Sequence, residues 1–310
     1  MGDTMKAFIL GAGLGTRLRP LTESLPKPLV PVLNRPLITY AFDHLIAELG
    51  VSEFMVNTHH CPDAYDEAFP NAFYREASLA FRHEPVLLDT AGGIDNIRDW
   101  LPAEESFVVY NGDILTDLSL VKAKEHHLAS GNLATLVLRS TGDELRVGFD
   151  RESGRVVDLR GALRPEWSER YQFTGIYFVS PSFLRFIEAG KIESVVLSFL
   201  AAIEAGEPIG GFLADDGSWS DLGERESYLD ALNHPVAAGE TRISPEAKIS
   251  IDASIDEISS VGPGAVIGSG AEVRESAIWP GAEVAPGSQL HRVIVRTGQV
   301  ARGNLANRDI

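Results

Sequence analysis

The stretch Lys6-Ala-Phe-Ile-Leu-Gly-Ala-Gly-Leu-Gly-Thr-Arg-Leu18 begins as an apolar run and passes directly into a glycine-rich loop. A short, continuous apolar run is typical of a strand whose two faces are both covered by helices. Glycines let the backbone approach a ligand closely, and the successive N–H groups of such a loop can hold phosphate oxygens. The stretch therefore predicts a sheet of an α/β protein with an anion-binding loop after its first strand.

The same alternation of short apolar runs and helical stretches continues to about Asn233. The strands that it predicts are Lys6–Leu10, Glu53–Asn57, Phe107–Tyr110, Leu133–Leu138 and Gln172–Val179. Between the first two strands, Pro36–Leu49 has its apolar residues on one helical face, starts with proline and ends before Gly50. This βαβ order predicts a Rossmann-like, mainly parallel sheet with ligands at the carboxyl ends of its strands.

After His234-Pro235 the apolar residues recur every six positions. They are Ile243, Ile249, Ile255, Val261, Ile267 and Val273, followed after a slip of one residue by Ile278, Val284 and Leu290. Turn residues such as Pro280-Gly281 and Pro286-Gly287 fall between them. A six-residue repeat with such turns predicts a parallel β-helix, in which each coil stacks on its neighbour. We expect this element to serve in packing or dimerisation rather than in catalysis.

Length and charge limit the function further. A chain of 310 residues predicts about two domains, and the change of pattern places them at 1–235 and 236–310. A net charge of −17 disfavours nucleic acid as a partner, because nucleic-acid binding depends on neutralising phosphates. The single cysteine, Cys61, excludes an internal disulfide. No apolar run is long enough for a membrane span, so we expect a cytoplasmic protein without a membrane partner.

The residues after the glycine loop extend the pattern to G-x-G-x-R-x-R-P-L-T-x-x-x-P-K-P, from Gly13 to Pro28. The third glycine of a dinucleotide fingerprint is missing, which disfavours a dehydrogenase, and the absence of a Walker Gly-Lys-Ser/Thr disfavours a P-loop protein. The long pattern resembles that of the sugar-1-phosphate nucleotidyltransferases, also called NDP-sugar pyrophosphorylases. The resemblance implies an α/β catalytic domain followed by a left-handed parallel β-helix.

In this family the loop and its following cations bind the nucleoside triphosphate. The resemblance implies that Arg17 and Lys27 are catalytic, because a guanidinium and an ammonium there would take up phosphate charge. Three bases within eleven residues of so acidic a chain also disfavour the alternative that they are merely solvated. The residues expected to contact the nucleotide through this part of the chain are Leu10, Gly11, Ala12, Gly13, Leu14, Gly15, Thr16 and, after a later strand, Gly112.

The stretch from His83 to Gly93 resembles the family's base-recognition segment. Glu84 is expected to accept a hydrogen bond from a ring N–H of uracil or guanine, and Asp89, Thr90 and Gly92 to contact the nucleoside. The variable position holds Asp89, which is closer to the Leu-Glu-Thr-Gly-Gly-Gly of the N-acetylmuramate-1-phosphate uridylyltransferases than to the common Leu-Gly-Thr-Ala-Gly. The alternative is an ordinary Gly-Gly helix start after a loop.

Two carboxylates are expected to bind Mg²⁺. Asp113 follows the predicted strand that ends at Tyr110, and Asp221 stands in Trp219-Ser220-Asp221-Leu222-Gly223, which resembles the family's W-x-D-x-G. Mg²⁺ prefers one or two carboxylates together with phosphate oxygens. Taken singly, Asp113 is also explained by a turn and Asp221 by a helix N-cap.

The resemblance is weakest at the expected sugar site. It assigns Gly148, Thr174, Tyr177 and Trp219 to sugar binding. The Glu-Lys-Pro segment of many members is absent, and Arg160–Trp167 stands in its place. The muramate-type uridylyltransferases also lack this segment, so its absence favours that branch of the family. Arg160 or Arg164 is a candidate for the missing cation.

The reaction that the resemblance implies is NTP plus a sugar 1-phosphate giving an NDP-sugar, a cell-wall or polysaccharide precursor, and pyrophosphate. UTP or GTP is the expected nucleotide. The expected sugar substrate is N-acetylmuramate 1-phosphate, mannose 1-phosphate or a related hexose 1-phosphate. Two alternative functions stay open: a non-catalytic regulatory subunit that binds sugar nucleotides, and a cytidylyltransferase for another phosphorylated substrate. For either function, the β-helix is a candidate element for assembly into a homo-oligomer.

Overall fold

The computed structural model describes residues 5–236 and 241–310, and this part of the chain forms two compact units. The first unit contains the chain up to Leu14 together with Ile38–Trp219. The second contains Gly15–Leu37 and the chain from Ser220 onward. The expected domain boundary between residues 235 and 236 stays a prediction. The compact units divide the chain differently, because Gly15–Leu37 belongs to the same unit as the C-terminal repeats.

The strands of the described residues, in chain order, are β1 (Ala7–Leu10), β2 (Pro31–Val32), β3 (Arg35–Pro36), β4 (Glu53–Thr58), β5 (Phe73–Tyr74), β6 (Ala77–His83), β7 (Phe107–Asn111), β8 (Ile114–Thr116), β9 (Ala134–Arg139), β10 (Leu145–Asp150), β11 (Arg155–Leu159), β12 (Arg170–Val179), β13 (Ile209–Leu213), β14 (Trp219–Asp221), β15 (Lys248–Ile249), β16 (Ser254–Ile255), β17 (Ser260–Val261), β18 (Val266–Ile267), β19 (Glu272–Arg274), β20 (Ala277–Ile278), β21 (Glu283–Val284), β22 (Gln289–Val295), β23 (Val300–Ala301) and β24 (Asn304–Asp309). The α-helices are α1 (Ile38–Leu49), α2 (Asp63–Ala68), α3 (Asp89–Asn96), α4 (Val121–Ser130), α5 (Val195–Glu204) and α6 (Arg225–Asp230). Short 3₁₀ helices cover Thr16–Leu18, Lys27–Leu29, Pro181–Phe186 and Ala231–Asn233.

The first unit is built on one ten-stranded sheet in the order β10-β11-β13-β9-β12-β7-β1-β4-β6-β5. Its centre, β6-β4-β1-β7, is parallel, and β9 and β13 also pair in parallel. The long strand β12 runs antiparallel to both β7 and β9. The expected α/β sheet is therefore confirmed, with a parallel centre at β6-β4-β1-β7 and both parallel and antiparallel pairings on the flanks.

The predicted elements fall close to the observed ones. Each predicted strand is present, with ends shifted by up to two residues. Helix α1 ends at Leu49 as expected, but it begins at Ile38 rather than at Pro36, because Pro36 pairs with Pro31 in the β2–β3 hairpin. The buried face of α1 carries apolar residues such as Phe42 and Leu45, both without exposed area.

The repeats of the second unit form parallel coils. Ile249 pairs with Ile267 and Ile255 with Val273, each eighteen residues further on, which corresponds to three repeats per coil. After the slip in the sequence the pairs are seventeen residues apart, as in Val273 with Leu290. The expected parallel β-helix is confirmed in its parallel stacking, while its left hand stays a prediction.

The apolar positions of the repeat form the core of these coils. Six consecutive members are at most 2% exposed: Val261, Ile267, Val273, Ile278, Val284 and Leu290. Ile249, in the first coil, is 38% exposed, because a terminal coil has a neighbour on one side only.

Within the described ranges, no helix combines the length and apolarity that crossing a membrane requires.

Candidate active site

The glycine loop follows β1 at the carboxyl edge of the parallel strands. The Gly11 N–H donates to Asn57 Oδ1 at 2.7 Å, and the Tyr65 hydroxyl donates to the Gly11 carbonyl at 3.1 Å. In the described parts of the chain, the amides of Ala12, Gly13 and Leu14 have no protein acceptor. One end of the loop is thus fixed to β4 and α2, while the following amides can serve an anionic ligand.

Glu84 lies just beyond β6 and has no exposed area. Its Oε1 accepts from Asn57 Nδ2 at 2.8 Å, and its Oε2 accepts from the Leu88 N–H at 3.0 Å. Since Asn57 in turn accepts from Gly11, a continuous hydrogen-bonded chain joins Glu84 to the glycine loop. This geometry favours a positioning role for Glu84, and its expected contact with a base stays a prediction.

The expected nucleoside contacts at Thr90 and Gly92 lie at the start of α3, where their polar groups are engaged within the unit. Thr90 Oγ1 accepts from the Val195 N–H at 2.8 Å, and the Gly92 N–H donates to the Glu193 carbonyl at 3.3 Å. A side chain on Gly92 would meet the Lys191 carbonyl oxygen at 2.6 Å. These two residues therefore hold α3 against the segment before α5. Asp89 is exposed and caps the Thr90 N–H at 2.6 Å.

Gly112 and Asp113 follow β7 beside the end of β1. The Gly112 N–H donates to the Leu10 carbonyl at 3.0 Å, so Gly112 is fixed to the strand that carries the loop. Asp113 is half-buried at this carboxyl edge. Carboxylates at this edge of a parallel sheet stand where ligands of open α/β sheets bind.

In the second unit, the residues from Gly15 to Lys27 are packed on one another. Gly15 has φ of +59°, in the left-handed region, and a Cβ there would lie 3.0 Å from Thr22 Cγ2 and 3.1 Å from Lys27 Cβ. The Thr22 hydroxyl donates to the Gly15 carbonyl at 2.8 Å. Glycine is therefore required at this turn for its conformation and for its closeness to Lys27.

Lys27, Arg17 and Asp221 come together within the second unit. Lys27 is only 6% exposed, and its Nζ lies 3.1 Å from Asp221 Oδ1. Arg17 Nη2 lies 3.7 Å from Asp221 Oδ2, and Arg17 Nη1 lies 3.5 Å from Glu224 Oε1. A buried lysine is rare unless it is paired, so Lys27 is not a solvated surface cation, while the Arg17 side chain is 64% exposed and can reach a ligand.

Two of the expected sugar residues are joined directly in the first unit. The Trp219 indole N–H donates to the Thr174 carbonyl at 2.8 Å, and the Thr174 hydroxyl donates to the Val137 carbonyl at 2.8 Å. Tyr177 is buried between Phe173 and Phe199. Burial, with a smaller contribution from the charge of Asp89, raises the pKa of Tyr177 above its usual range.

The Tyr177 hydroxyl is fully buried and has no hydrogen-bond partner among the described residues. An orphaned buried hydroxyl costs about 1–3 kcal/mol. Because Tyr177 is buried in this way, its expected contact with a sugar stays a prediction.

Gly148 lies on β10, where a Cβ would be 3.0 Å from Asp158 Cβ and 3.3 Å from Trp167 Cδ1. The buried Asp158 accepts from the N–H groups of Gly161 and Leu163 at 2.8 and 2.7 Å and pairs with Arg170. Burial raises the pKa of Asp158, but these hydrogen bonds outweigh it, so the pKa is lowered overall. The carboxylate thus pins the loop that replaces Glu-Lys-Pro, and the candidate cations Arg160 and Arg164 are exposed on it.

Sequence reasoning did not single out Asn57, Tyr65 or Glu224, each of which contacts an expected site residue. One signal was available for Asn57, since it directly follows the apolar run Phe54–Val56 at the carboxyl end of β4. The contacts of Tyr65 and Glu224 join segments far apart in sequence and leave no local pattern.

A parallel sheet edge with an anion-accepting glycine loop defines the class of nucleotide-binding α/β proteins. The chain belongs to the nucleotidyl transferase family, whose model matches residues 6–236. It is 28% identical over 244 residues to a UTP–glucose-1-phosphate uridylyltransferase of Synechocystis sp., covering 74% of this chain and 62% of that protein. It is 30% identical over 234 residues to mannose-1-phosphate guanylyltransferase 1 of Arabidopsis thaliana, covering 74% and 64%. The expected family resemblance is thereby confirmed.

A solved UDP-glucose pyrophosphorylase of Acinetobacter baumanii has the same fold over 75% of this chain and 95% of its own, with a TM-score of 0.62 and 20% identity. The chain spans less than two thirds of the length of both sequence relatives.

Proposed function

We propose that this protein transfers a nucleotidyl group from an NTP to a sugar 1-phosphate and releases pyrophosphate. The observation that carries the proposal is the arrangement of Lys27, Arg17 and Asp221, in which a buried ammonium and an exposed guanidinium share one carboxylate. Such cations suit a reaction in which negative charge moves onto a leaving phosphate. The loop amides of Ala12, Gly13 and Leu14 supply further donors for phosphate oxygens.

No covalent intermediate on the protein is required. A phosphate oxygen of the sugar 1-phosphate attacks the α-phosphorus in line, and the bond to the bridging oxygen of the β-phosphate breaks. Pyrophosphate leaves with that electron pair. In the proposed roles, Arg17 binds the departing phosphates and Lys27 balances charge at the α-phosphate, while the loop orients the chain of phosphates.

We further propose that Asp113 and Asp221 hold Mg²⁺. Their hard carboxylate oxygens suit this ion, which takes its remaining ligands from phosphates and water. Among the described residues, no three or more His, Cys, Asp or Glu side chains cluster in a way that could hold a metal, so the proposal rests on the chemistry of these two carboxylates alone. When bound, the ion would neutralise phosphate charge. Asp113→Ala should lose most turnover while staying folded, and chelation by EDTA should abolish a turnover that added Mg²⁺ restores.

The uridylyl and guanylyl transferases among the relatives support UTP or GTP as the nucleotide. For the sugar, the names of these relatives support glucose or mannose 1-phosphate, and the resemblance at Asp89 adds N-acetylmuramate 1-phosphate. The resulting NDP-sugar would serve as a cell-wall or polysaccharide precursor.

The decisive experiment measures pyrophosphate release over a matrix of ATP, CTP, GTP, UTP and dTTP against a panel of sugar 1-phosphates, with phosphocholine added for the cytidylyltransferase alternative. Lys27→Ala gives the background. Turnover of a UTP or GTP pair above that background is expected. Tight binding of an NDP-sugar without turnover of any pair would overturn the proposal in favour of a regulatory subunit.

We also propose that the protein forms a homo-oligomer and is located in the cytoplasm. The first coil of the β-helix exposes Ile249 and Ile251, which supports a homo-oligomer through this element. Light scattering of the purified protein tests it, and a monomeric mass would contradict it. A cytoplasmic location is supported by the single cysteine, Cys61.

A further inference from the structure

The second unit contains both the segment that carries Arg17 and Lys27 and the β-helix. The two are joined through Tyr228, which lies on α6 and is 1% exposed. The Trp279 indole N–H, from a coil of the β-helix, donates to the Tyr228 hydroxyl at 2.9 Å. The same hydroxyl donates to the Pro31 carbonyl at 2.5 Å. One phenolic oxygen therefore connects a coil to the residue four positions after Lys27.

This contact is close in the chain to the ion pair of the proposed active site. Lys27 begins a 3₁₀ turn that is closed by the bond from the Val30 N–H to the Lys27 carbonyl at 3.1 Å, and Pro31 follows directly. Asp221, the partner of Lys27, comes shortly before α6 in the chain. The ion pair and the Tyr228 hydroxyl thus join the same two stretches of chain at two points, which restricts how the lysine can move.

Other contacts fix the same segment to the coils. The β2–β3 hairpin turns through Leu33 and Asn34, both with positive φ, and Asn34 Nδ2 donates to the carbonyls of Arg242 and Val261 at 2.8 and 3.1 Å. At the other end of the segment, Arg296 Nη1 donates to the Pro20 carbonyl at 3.3 Å. The coils therefore contact the segment on both sides of Lys27.

Helix α6 is fixed to the coils as well. Arg225 Nε lies 2.8 Å from Asp309 Oδ1, and Arg292 Nη2 lies 2.6 Å from Glu226 Oε2. Both arginines are mostly buried, with 21% and 23% of their side chains exposed. In the Arg225–Asp309 pair the carboxylate is only 11% exposed, and such a pair holds geometry better than an isolated surface pair does, whereas Glu226 is 64% exposed.

We propose that the β-helix is a positioning element for the catalytic segment, with Tyr228 and Trp279 as positioning residues for Lys27. Neither residue is assigned to contact substrate. The proposal gives the C-terminal repeats a part in turnover, beyond packing or dimerisation. The expected effect on kcat rests on the proposed nucleotidyl transfer, whereas the expected effect on how firmly the coils hold the Lys27 segment does not.

The test compares Tyr228→Phe with Ser276→Ala in the full chain. Tyr228→Phe keeps the ring but removes the hydroxyl that Trp279 and Pro31 share. Ser276→Ala is the matched control, because its buried hydroxyl bridges the Arg274 carbonyl and the Val293 N–H within the coils alone. Both variants lose one bridging hydroxyl, and we expect similar losses of melting temperature.

Two readouts separate positioning from stability. Hydrogen exchange of the peptide containing Leu29 and Val30 should accelerate about tenfold in Tyr228→Phe, as expected for the loss of one buried hydrogen bond, and stay at the wild-type rate in Ser276→Ala. On the substrate pair found for the wild type, kcat should fall about tenfold in Tyr228→Phe, with KM for the NTP unchanged. Ser276→Ala should keep the wild-type kcat.

Unchanged exchange in Tyr228→Phe would overturn the proposal, and so would faster exchange with an unchanged kcat. If the wild type turns over no substrate pair, the proposed function fails, and the exchange measurement alone decides whether the coils hold the segment. Should Tyr228→Phe not fold, Asn34→Gly removes the other coil contact while accommodating the positive φ, and the same two readouts apply.

Discussion

The Lys27 ammonium lies 3.1 Å from a carboxylate oxygen of Asp221, although 194 residues separate the two in the chain. The ion pair is made within one compact unit, between the lysine that follows the glycine loop and the acid of the later Trp-Ser-Asp motif. Because Lys27 is buried while Asp221 also faces the exposed Arg17, the carboxylate compensates a charge that water cannot reach and keeps a second cation beside it. Both residues were expected at the site for separate reasons, and the structure makes them direct partners.

Replacement of Lys27 should affect turnover more than folding. We expect Lys27→Ala to lower kcat about 10²–10³-fold, the usual effect of removing one preorganised electrostatic contact. Steady-state pyrophosphate release measures it, with Lys122→Ala as the control because Lys122 is exposed on α4. A wild-type rate in Lys27→Ala would remove this residue from the mechanism.

The chain of hydrogen bonds from Glu84 through Asn57 to Gly11 predicts that Glu84→Gln is not a neutral change. The Glu84 carboxylate accepts from two donors, whereas a glutamine has one acceptor oxygen and places an amide against the other donor. We expect a loss of about 1–3 kcal/mol in the free energy of unfolding and a raised KM for the NTP.

Denaturant unfolding and kinetics of Glu84→Gln check both effects, and Glu104→Gln, at an exposed position, is the control. If Glu84→Gln changed base preference without changing stability, direct base recognition would be supported instead of positioning.

Gly15→Ala should combine a conformational cost with a displacement of Lys27. An L-residue in the left-handed region costs about 1–2 kcal/mol, and the added Cβ would also press on Thr22 and Lys27. The matched control is Gly190→Ala, since Gly190 has φ of +73° but a Cβ there would have no neighbour within 4 Å among the described residues. Thermal unfolding should show a larger loss of melting temperature for Gly15→Ala than for Gly190→Ala, and kcat should fall in Gly15→Ala alone. Equal losses in both would mean that the contact with Lys27 is unimportant.

Acid should destabilise the first unit through His127. Its ring is buried and contacts Thr135 Oγ1 at 2.9 Å and Ser106 Oγ at 3.0 Å, and burial, followed by the charge of His126, lowers its pKa from 6.5 to about 4. Between pH 6.5 and 4 the unfolded chain binds a proton that the folded chain does not. The free energy of unfolding should therefore be fully retained above pH 6.5 and fall by up to ~3 kcal/mol as the pH drops to 4.

Chemical denaturation at several pH values measures this dependence. His127→Gln, which cannot titrate, should show a flatter slope across the interval, while His83→Gln, at an exposed position, should follow the wild type. An identical slope for His127→Gln would assign the acid sensitivity to other groups, such as Asp158.

Much of the fold followed from local pattern. The continuous apolar runs of β1, β4 and β7 predicted buried parallel strands, because a strand covered on both faces lacks polar alternation. The interval of six residues predicted the coils, and even the slip after Val273 is visible as the change from eighteen to seventeen residues between paired strands. The antiparallel direction of β12 left no such signal, since strand direction depends on the connection and not on the strand's own residues.

For the candidate site, the sequence by itself determined which chemical groups are present: a glycine loop after a strand, Arg17, Lys27 and two acids at motif positions. These are local properties of residue type and spacing. Only the tertiary structure decided that Glu84 is buried and hydrogen-bonded to Asn57, that Lys27 pairs with Asp221, and that the coils contact the segment carrying Lys27 through Tyr228. Each of these is a contact between residues distant in the chain, and which distant polar groups meet is fixed by packing of the whole unit.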